Sequence, residues 1–266
     1  MPDRNDRSPA MSVLPRRLQG AATLAALLCL TTACQAPLAS GPSSSTSTVV
    51  STTGTASGTA AAALVALPVK GRAAKTGYSR KQFGQAWSDD VSVPSGHNGC
   101  DQRSDVLRRD LTGVAFKAST RGCVPASGAL TDPYTGRTIH FTRGAATSTA
   151  VQIDHVVALS NAWQTGAAQL PADQRDNLAG DPLELLAVDG PTNEAKGDGD
   201  AATWLPPNKT FRCAYVVRQI AVKAKYRLWV TAAEKSSMTT VLRSCPGIDL
   251  PTELTVAIPA ATQLKS

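Results

Sequence analysis

Aromatic residues make up only 5% of this 266-residue chain, and histidine occurs three times. No interleaved aromatic signature of an RNA-binding surface is present, and no Gly-rich loop of the kind that cradles phosphates. No Gly-x-Ser-x-Gly elbow occurs, which argues against Ser-His-Asp hydrolysis. Repeated apolar runs of about 20 residues are lacking, which excludes a polytopic membrane protein. The 42% share of hydrophobic residues excludes a disordered acidic tail. Internal repeats are absent.

What is present begins with an export signal. Arg16 and Arg17 precede the apolar run Ala21–Leu30, which is too short to span a bilayer, and Thr31-Thr32-Ala33-Cys34 supplies small residues for cleavage. Leu30–Cys34 also resembles a bacterial lipobox, which predicts membrane attachment through a lipid at Cys34; simple cleavage is the alternative. The expected organisation is a signal over 1–34, a Ser/Thr/Gly/Ala-rich flexible linker over 35–70, a folded domain over 71–250 and a tail over 251–266. Roughly 190 residues then remain for a core, the size of one domain.

The formal charge is +7. Removing 1–33 takes away four arginines and two aspartates, a net +2, so +5 survives processing. A basic exported chain favours anionic partners such as nucleic acid, phospholipid headgroups or wall polymers. The even set Cys100, Cys123, Cys213 and Cys245 reads as two disulfides. Three pairings exist; Cys100 with Cys123 and Cys213 with Cys245 is expected, since each closes a local loop of moderate length. A zinc site on the four thiolates is the competitor, and it lacks C-x-x-C spacing.

Along the folded part, Asp101–Leu111 predicts a solvent-facing helix with alternating charges. Thr112–Phe116 and Thr138–Thr142 predict strands on either side of a turn at Asp132–Gly136. Val151–Leu159 is the most strand-like stretch and carries Asp154 and His155 inside an apolar run, a costly placement without a purpose. A helix is expected over Ser160–Ala168, a second strand over Asp181–Val188, and a helix from Pro191 to Lys196. Two amphipathic helices follow, over Asn208–Tyr226 and Thr231–Ser244. Arg212, Arg218, Lys223, Lys225 and Arg227 form a basic face able to track a phosphate backbone or simply to meet solvent.

The blocks Ile153-Asp154-His155-Val156-Val157-Ala158-Leu159, Leu183–Val188 and Thr192-Asn193-Glu194-Ala195-Lys196-Gly197-Asp198 resemble, in order and spacing, the exported HNH-type (His-Me finger) endonucleases of the GmrSD C-terminal-like group. Asp132–Gly136 and Thr203–Lys209 match the same group. The resemblance covers roughly 77–246 and implies a single α+β domain with an embedded ββα-metal motif, in which a hairpin and a helix surround one divalent cation. It implies His155 as general base, Asp154 and Asn193 as metal ligands, and Lys196 as a phosphate contact. Glu184 stands where many relatives have Asn.

The residue types suit that chemistry on their own. A neutral imidazole can take a proton from water near pH 7. Oxygen donors at Asp154 and Asn193 suit Mg or Mn, with Zn as a further option. Glu184 is expected to hold the second ring nitrogen of His155 in place of the usual Asn. His140 and Arg143, just upstream, are candidate substrate contacts. Each residue also has a plainer reading: His155 as a core residue, Asp154 as a turn cap, Asn193 as a helix N-cap, Lys196 as a solvated helix residue, His140 and Arg143 as surface positions. The expected activity is metal-dependent, largely sequence-independent cleavage of DNA, with RNA as a second substrate and no obligate protein partner. The competitors are a non-catalytic module that binds anionic polymer and a hydrolase of another phosphodiester.

Overall fold

β-branched alternation in the middle of the chain builds two separate antiparallel sheets. The computed structural model describes residues 58–145 and 147–258. A helix α1 (Ala60–Ala66) is followed by α2 (Gln102–Asp110) and a three-stranded sheet of β1 (Leu111–Phe116), β2 (Pro125–Thr131) and β3 (Thr138–Thr142), in that order. β4 (Val151–His155) then leads through α3 (Leu159–Gln164) and α4 (Ala172–Gly180) to β5 (Leu185–Asp189), which pairs with β4 alone. α5 (Gly190–Lys196), α6 (Arg212–Lys225) and α7 (Ala232–Leu242) complete the fold, a single α+β domain.

Helix α5 starts directly from β5. Pro191 sits in its first turn and the Asp189 carboxylate accepts from the Thr192 amide at 3.0 Å, satisfying an otherwise orphaned donor. The helix lies against both β4 and β5. Asn193 is therefore not the N-cap; Asp189 is.

Helix α2 forms where expected but does not face solvent. Val106 and Leu107 are fully buried among side chains of both sheets, including Leu130, Phe141, Ile153 and Leu185. Its charges find partners inside the protein, which makes this burial tolerable. Arg108 pairs with Asp105 at 2.7 Å, and Arg109 donates to the carbonyls of Pro182 and Leu185 at 2.8 and 2.7 Å. Burial pushes the Asp105 carboxyl up to about 6.

The basic face expected on the last two helices is largely internal. Arg218 donates to the carbonyls of Pro182, Leu183 and Leu185, and Lys223 is fully buried against Glu234 at 3.0 Å. Lys225 pairs with Asp181 at 2.8 Å, and Arg212 donates to the Pro206 carbonyl. These four side chains fasten the fold, and of the expected face Arg227 is left exposed.

Two boundaries also move. The expected linker to residue 70 ends early, because α1 buries Ala60 and Leu64 against α6 and α7, and Leu67 follows them into the core. An Ala-rich segment with leucines three apart has the propensity and the apolar face to dock. In the expected tail, Val256 is buried and its carbonyl accepts from Arg109. The signal over 1–34, the lipid site at Cys34 and the linker up to residue 57 lie outside the described residues.

The disulfides pair as expected. Cys100 joins Cys123 and Cys213 joins Cys245, with Cα atoms 5.2 and 6.3 Å apart. Closing loops of 23 and 32 residues contributes about 3 to 4 kcal/mol each in the chain-entropy view. A four-thiolate zinc site is thereby excluded.

Candidate active site

Strand β4 carries the ionisable pair at its C-terminal end, with Asp154 opposite Leu186 and His155 opposite Leu185. Successive side chains of a strand face opposite ways, so the neighbours of these two residues differ. Asp154 faces α5. Its Oδ1 accepts from Lys196 Nζ at 2.8 Å, and its Oδ2 accepts a short hydrogen bond from the Tyr134 hydroxyl. Lys196 also donates to the His155 carbonyl at 2.7 Å. All three side chains are buried. Burial, with Asp154 alongside, drives the Tyr134 hydroxyl well above its usual range, so it remains a donor.

His155 faces the other side. Its Nε2 lies 3.1 Å from the Ala179 carbonyl at the end of α4, and the Trp87 ring stands nearly parallel to it, 6.0 Å between centroids and 19° between planes. Burial is the main cause that lowers its pKa to about 3, with the cations Arg80 and Lys196 adding to the effect and the Ala179 bond opposing it. The ring is neutral at ordinary pH. A carbonyl only accepts, so the ring proton sits on Nε2 and Nδ1 keeps a free lone pair. His155 also lines a cavity of about 160 Å³ between α4 and the loop holding Arg80 and Trp87.

Glu184 does not reach the His155 ring through any hydrogen bond in the structure. Its Oε2 accepts from the Val157 amide at 3.1 Å, and its backbone carbonyl accepts from the Val156 amide at 2.9 Å. It thus clamps the two residues that leave His155, and the ring's partner is Ala179. Glu184 Oε1 is buried with no partner, and burial raises the carboxyl well above its usual range. Protonation removes the charge that such a site would penalise.

Asn193 donates from Nδ2 to Gln152 Oε1 at 2.9 Å, one step along the same face as Asp154. Lys196, expected at a phosphate, is instead enclosed against Asp154. His140 is exposed on β3 opposite Ala129, in the other sheet, and Arg143 donates to the Pro125 carbonyl at 2.7 Å and to Ser104. The structure places Asp154, Lys196 and Asn193 on the α5 side of β4 and the His155 ring on the α4 side, with Glu184 bonded to the backbone that follows, and leaves His140 and Arg143 apart.

Residues 101–241, just over half of the chain, match the family described as GmrSD restriction endonucleases, C-terminal domain. This chain belongs to that family. A protein from Arthroderma benhamiae, described as an uncharacterized secreted protein, is 39% identical over 184 residues, covering 68% of this chain and 82% of the relative. No solved structure matches the chain.

The family resemblance implies a divalent cation, for which the free donor capacity near Asp154 is small. An ionised carboxylate has about four lone-pair sites, and hydrogen bonds occupy two on Asp154. Asn193 Oδ1 accepts nothing among the described residues, and Glu184 Oε1 is an orphaned buried oxygen. A cation on Asp154 and Asn193 would share the carboxylate with the Lys196 ammonium. No cluster of three His, Cys, Asp or Glu residues able to hold a metal occurs among the described residues.

Two partners escaped the sequence reading. Tyr134 lies inside the Asp132–Gly136 block, whose turn is locked by Asp132 accepting from the Thr135 and Asp189 amides at 2.8 and 2.9 Å. In the sequence that block was visible as a turn and as a match to the family, with no role for Tyr134. Trp87 lies before the family match and carries no motif.

Proposed function

We propose that this protein is an exported, divalent-metal-dependent endonuclease of the HNH type that hydrolyses phosphodiester bonds in DNA, and in RNA as a second substrate, with little sequence specificity. The observation that carries the reading is His155: a neutral imidazole with Nε2 on the Ala179 carbonyl, Nδ1 without a hydrogen bond among the described residues, and a cavity along the side chain. Family membership supports it, and so does the antiparallel pair β4–β5 with α5 packed against it.

Nδ1 of His155 takes the proton of the attacking water. A ring with so low a pKa is always available as an acceptor but is a weak base, and an entering phosphate anion favours the imidazolium and strengthens it. Ala179 holds the tautomer, and Glu184 fixes the backbone that leaves the ring. Asp154 and Asn193 would hold the cation, Mg or Mn before Zn, which when bound polarises the phosphate and stabilises the leaving oxygen. Lys196 keeps Asp154 in place and partly compensates its charge, a positioning role in place of phosphate contact. No protein partner is required.

A plasmid-nicking assay tests this. Cleavage that needs Mg or Mn, stops with EDTA and disappears in His155→Ala is the expected result. A folded His155→Ala protein that still cuts at the wild-type rate overturns the assignment. The engagement of Asp154 by Lys196 favours one rival, a module that binds anionic polymer without cutting. Binding without any metal-dependent cleavage in the same assay selects that rival.

Export rests on the signal-like N-terminus, on the two disulfides, which persist in oxidising compartments, and on the relative described as secreted. The surface-bound form is a lipoprotein anchored at Cys34, and mass spectrometry of the N-terminal peptide distinguishes lipidation from simple cleavage.

A further inference from the structure

Beside His155, the loop of residues 80–88 and α4 enclose the 160 Å³ cavity, and its wall differs from the rest of the molecule. Around β4 and β5 the cations are tied down: Arg109 and Arg218 hold backbone carbonyls, and Lys196, Lys223 and Lys225 hold carboxylates. Arg80 and Lys81 are exposed at this cavity and make no side-chain hydrogen bond or ion pair among the described residues. The cavity thus has two cations at hand for a phosphate.

The interior supplies the other half of a nucleotide site. Trp87 is half-buried and holds φ at +60°, a region that bulky residues seldom enter, so its surroundings must impose the conformation. The Trp87 carbonyl accepts from the Gln102 amide at 3.2 Å, which ties the loop to the start of α2. Gln102 lines the cavity with its side-chain nitrogen buried and unpartnered, while its oxygen already accepts from Ser95. An orphaned donor on a residue that borders a cavity is a group that a base acceptor would satisfy once the side chain turns towards it. Asp176 stands against Gly84, where an added Cβ would meet its carboxylate at 2.5 Å, so only glycine permits this close approach of loop and helix.

We infer that this cavity is a nucleotide subsite that takes one unpaired base, with Trp87 as its stacking surface, Gln102 as donor to the base edge and Arg80 and Lys81 on the adjoining phosphates. Aromatic stacking together with a basic rim is how single strands are held without sequence readout, and a cleft between a loop and a helix admits a base only after it leaves its stack. The preferred substrate is then single-stranded or locally melted nucleic acid. This rests on the nuclease reading of His155 and names its substrate class.

The test compares cleavage of a single-stranded oligonucleotide and of its duplex by the full protein. The wild type should prefer the single strand, Trp87→Leu should reduce that preference on the order of 10-fold through a higher KM, and Trp87→Phe should restore most of it. Gln102→Met, similar in size, should also raise KM. Equal cutting of both forms by the wild type, or an undiminished preference in folded Trp87→Leu, overturns the subsite. Titrating His155→Ala with the oligonucleotide and with inorganic polyphosphate separates this from the nuclease reading. Tighter binding of the oligonucleotide, weakened by Trp87→Leu, supports the subsite even if no variant cuts; equal binding of polyphosphate defeats it.

Discussion

The two faces of β4 solve the same problem in opposite ways. On the α5 side, Asp154 enters the protein with a cation and a hydroxyl already on its oxygens. On the α4 side, His155 enters with its charge removed by burial and with Nδ1 free of any hydrogen bond among the described residues. One face has settled its electrostatics internally. The other has left an acceptor beside an open cavity. On the proposed reading, these adjacent residues carry different burdens: His155 takes the proton, while Asp154, fastened by Lys196, would hold the cation.

The sharpest way to break this contrast is to remove each side in turn. His155→Ala should lower kcat by about 10²- to 10⁴-fold, the usual contribution of a general base, while its unfolding midpoint in denaturant moves little. Lys196→Met should do the reverse in stability. Removing one partner of a buried ion pair costs about 3 to 5 kcal/mol, so its denaturant midpoint should fall sharply, and adding Asp154→Asn to the same chain should recover much of the loss. If Lys196→Met melts like the wild type, Lys196 does not fasten Asp154.

Much of this was legible in the sequence. The strand around Asp154 and His155, the helix from Pro191 and the disulfide pairs follow from an apolar run, a proline and loop length. The missing elements had weak local signals: β2 is built of small residues, Pro125–Thr131, and α4 buries little besides Leu178. Long-range partners were not legible at all. Nothing local in Ala179 marks it as the acceptor for His155, because a backbone carbonyl has no residue type. Lys196 read as a phosphate contact, or on local grounds as a solvated helix residue, since its period in α5 cannot reveal that a carboxylate 42 positions earlier lies beneath it. Trp87 precedes every recognised block.

The pH dependence sharpens the comparison further. His155 titrates near 3 in the folded protein, against about 6.5 when unfolded. Below pH 6.5 the unfolded chain gains a proton that the folded one does not, so this residue's contribution is complete above 6.5 and fades as pH falls towards 3. Asp105, raised to about 6, has the opposite slope between about pH 4 and 6. The informative measurement is therefore a difference: wild type should lose about 2 to 3 kcal/mol relative to His155→Phe between pH 7 and pH 4.5. The acid limb of kcat/KM should likewise lie well below 6.5.

The smallest effect belongs to Glu184, which joins the two faces through the backbone after His155. Its folded pKa is raised, so its contribution is whole below the unfolded value near 4.5 and is lost as pH climbs through the folded one. Glu184→Gln keeps an oxygen for the Val157 amide and cannot ionise. Its denaturant midpoint should stand closest to the wild type at pH 4 and exceed it at pH 9, because the amide has no proton to retain there. Its nicking activity at pH 7 should stay within about 10-fold of wild type, since one amide contact contributes about 1 kcal/mol. A loss as large as that of His155→Ala would mean that Glu184 acts on the ring itself, and the contrast between the two faces of β4 would have to be redrawn.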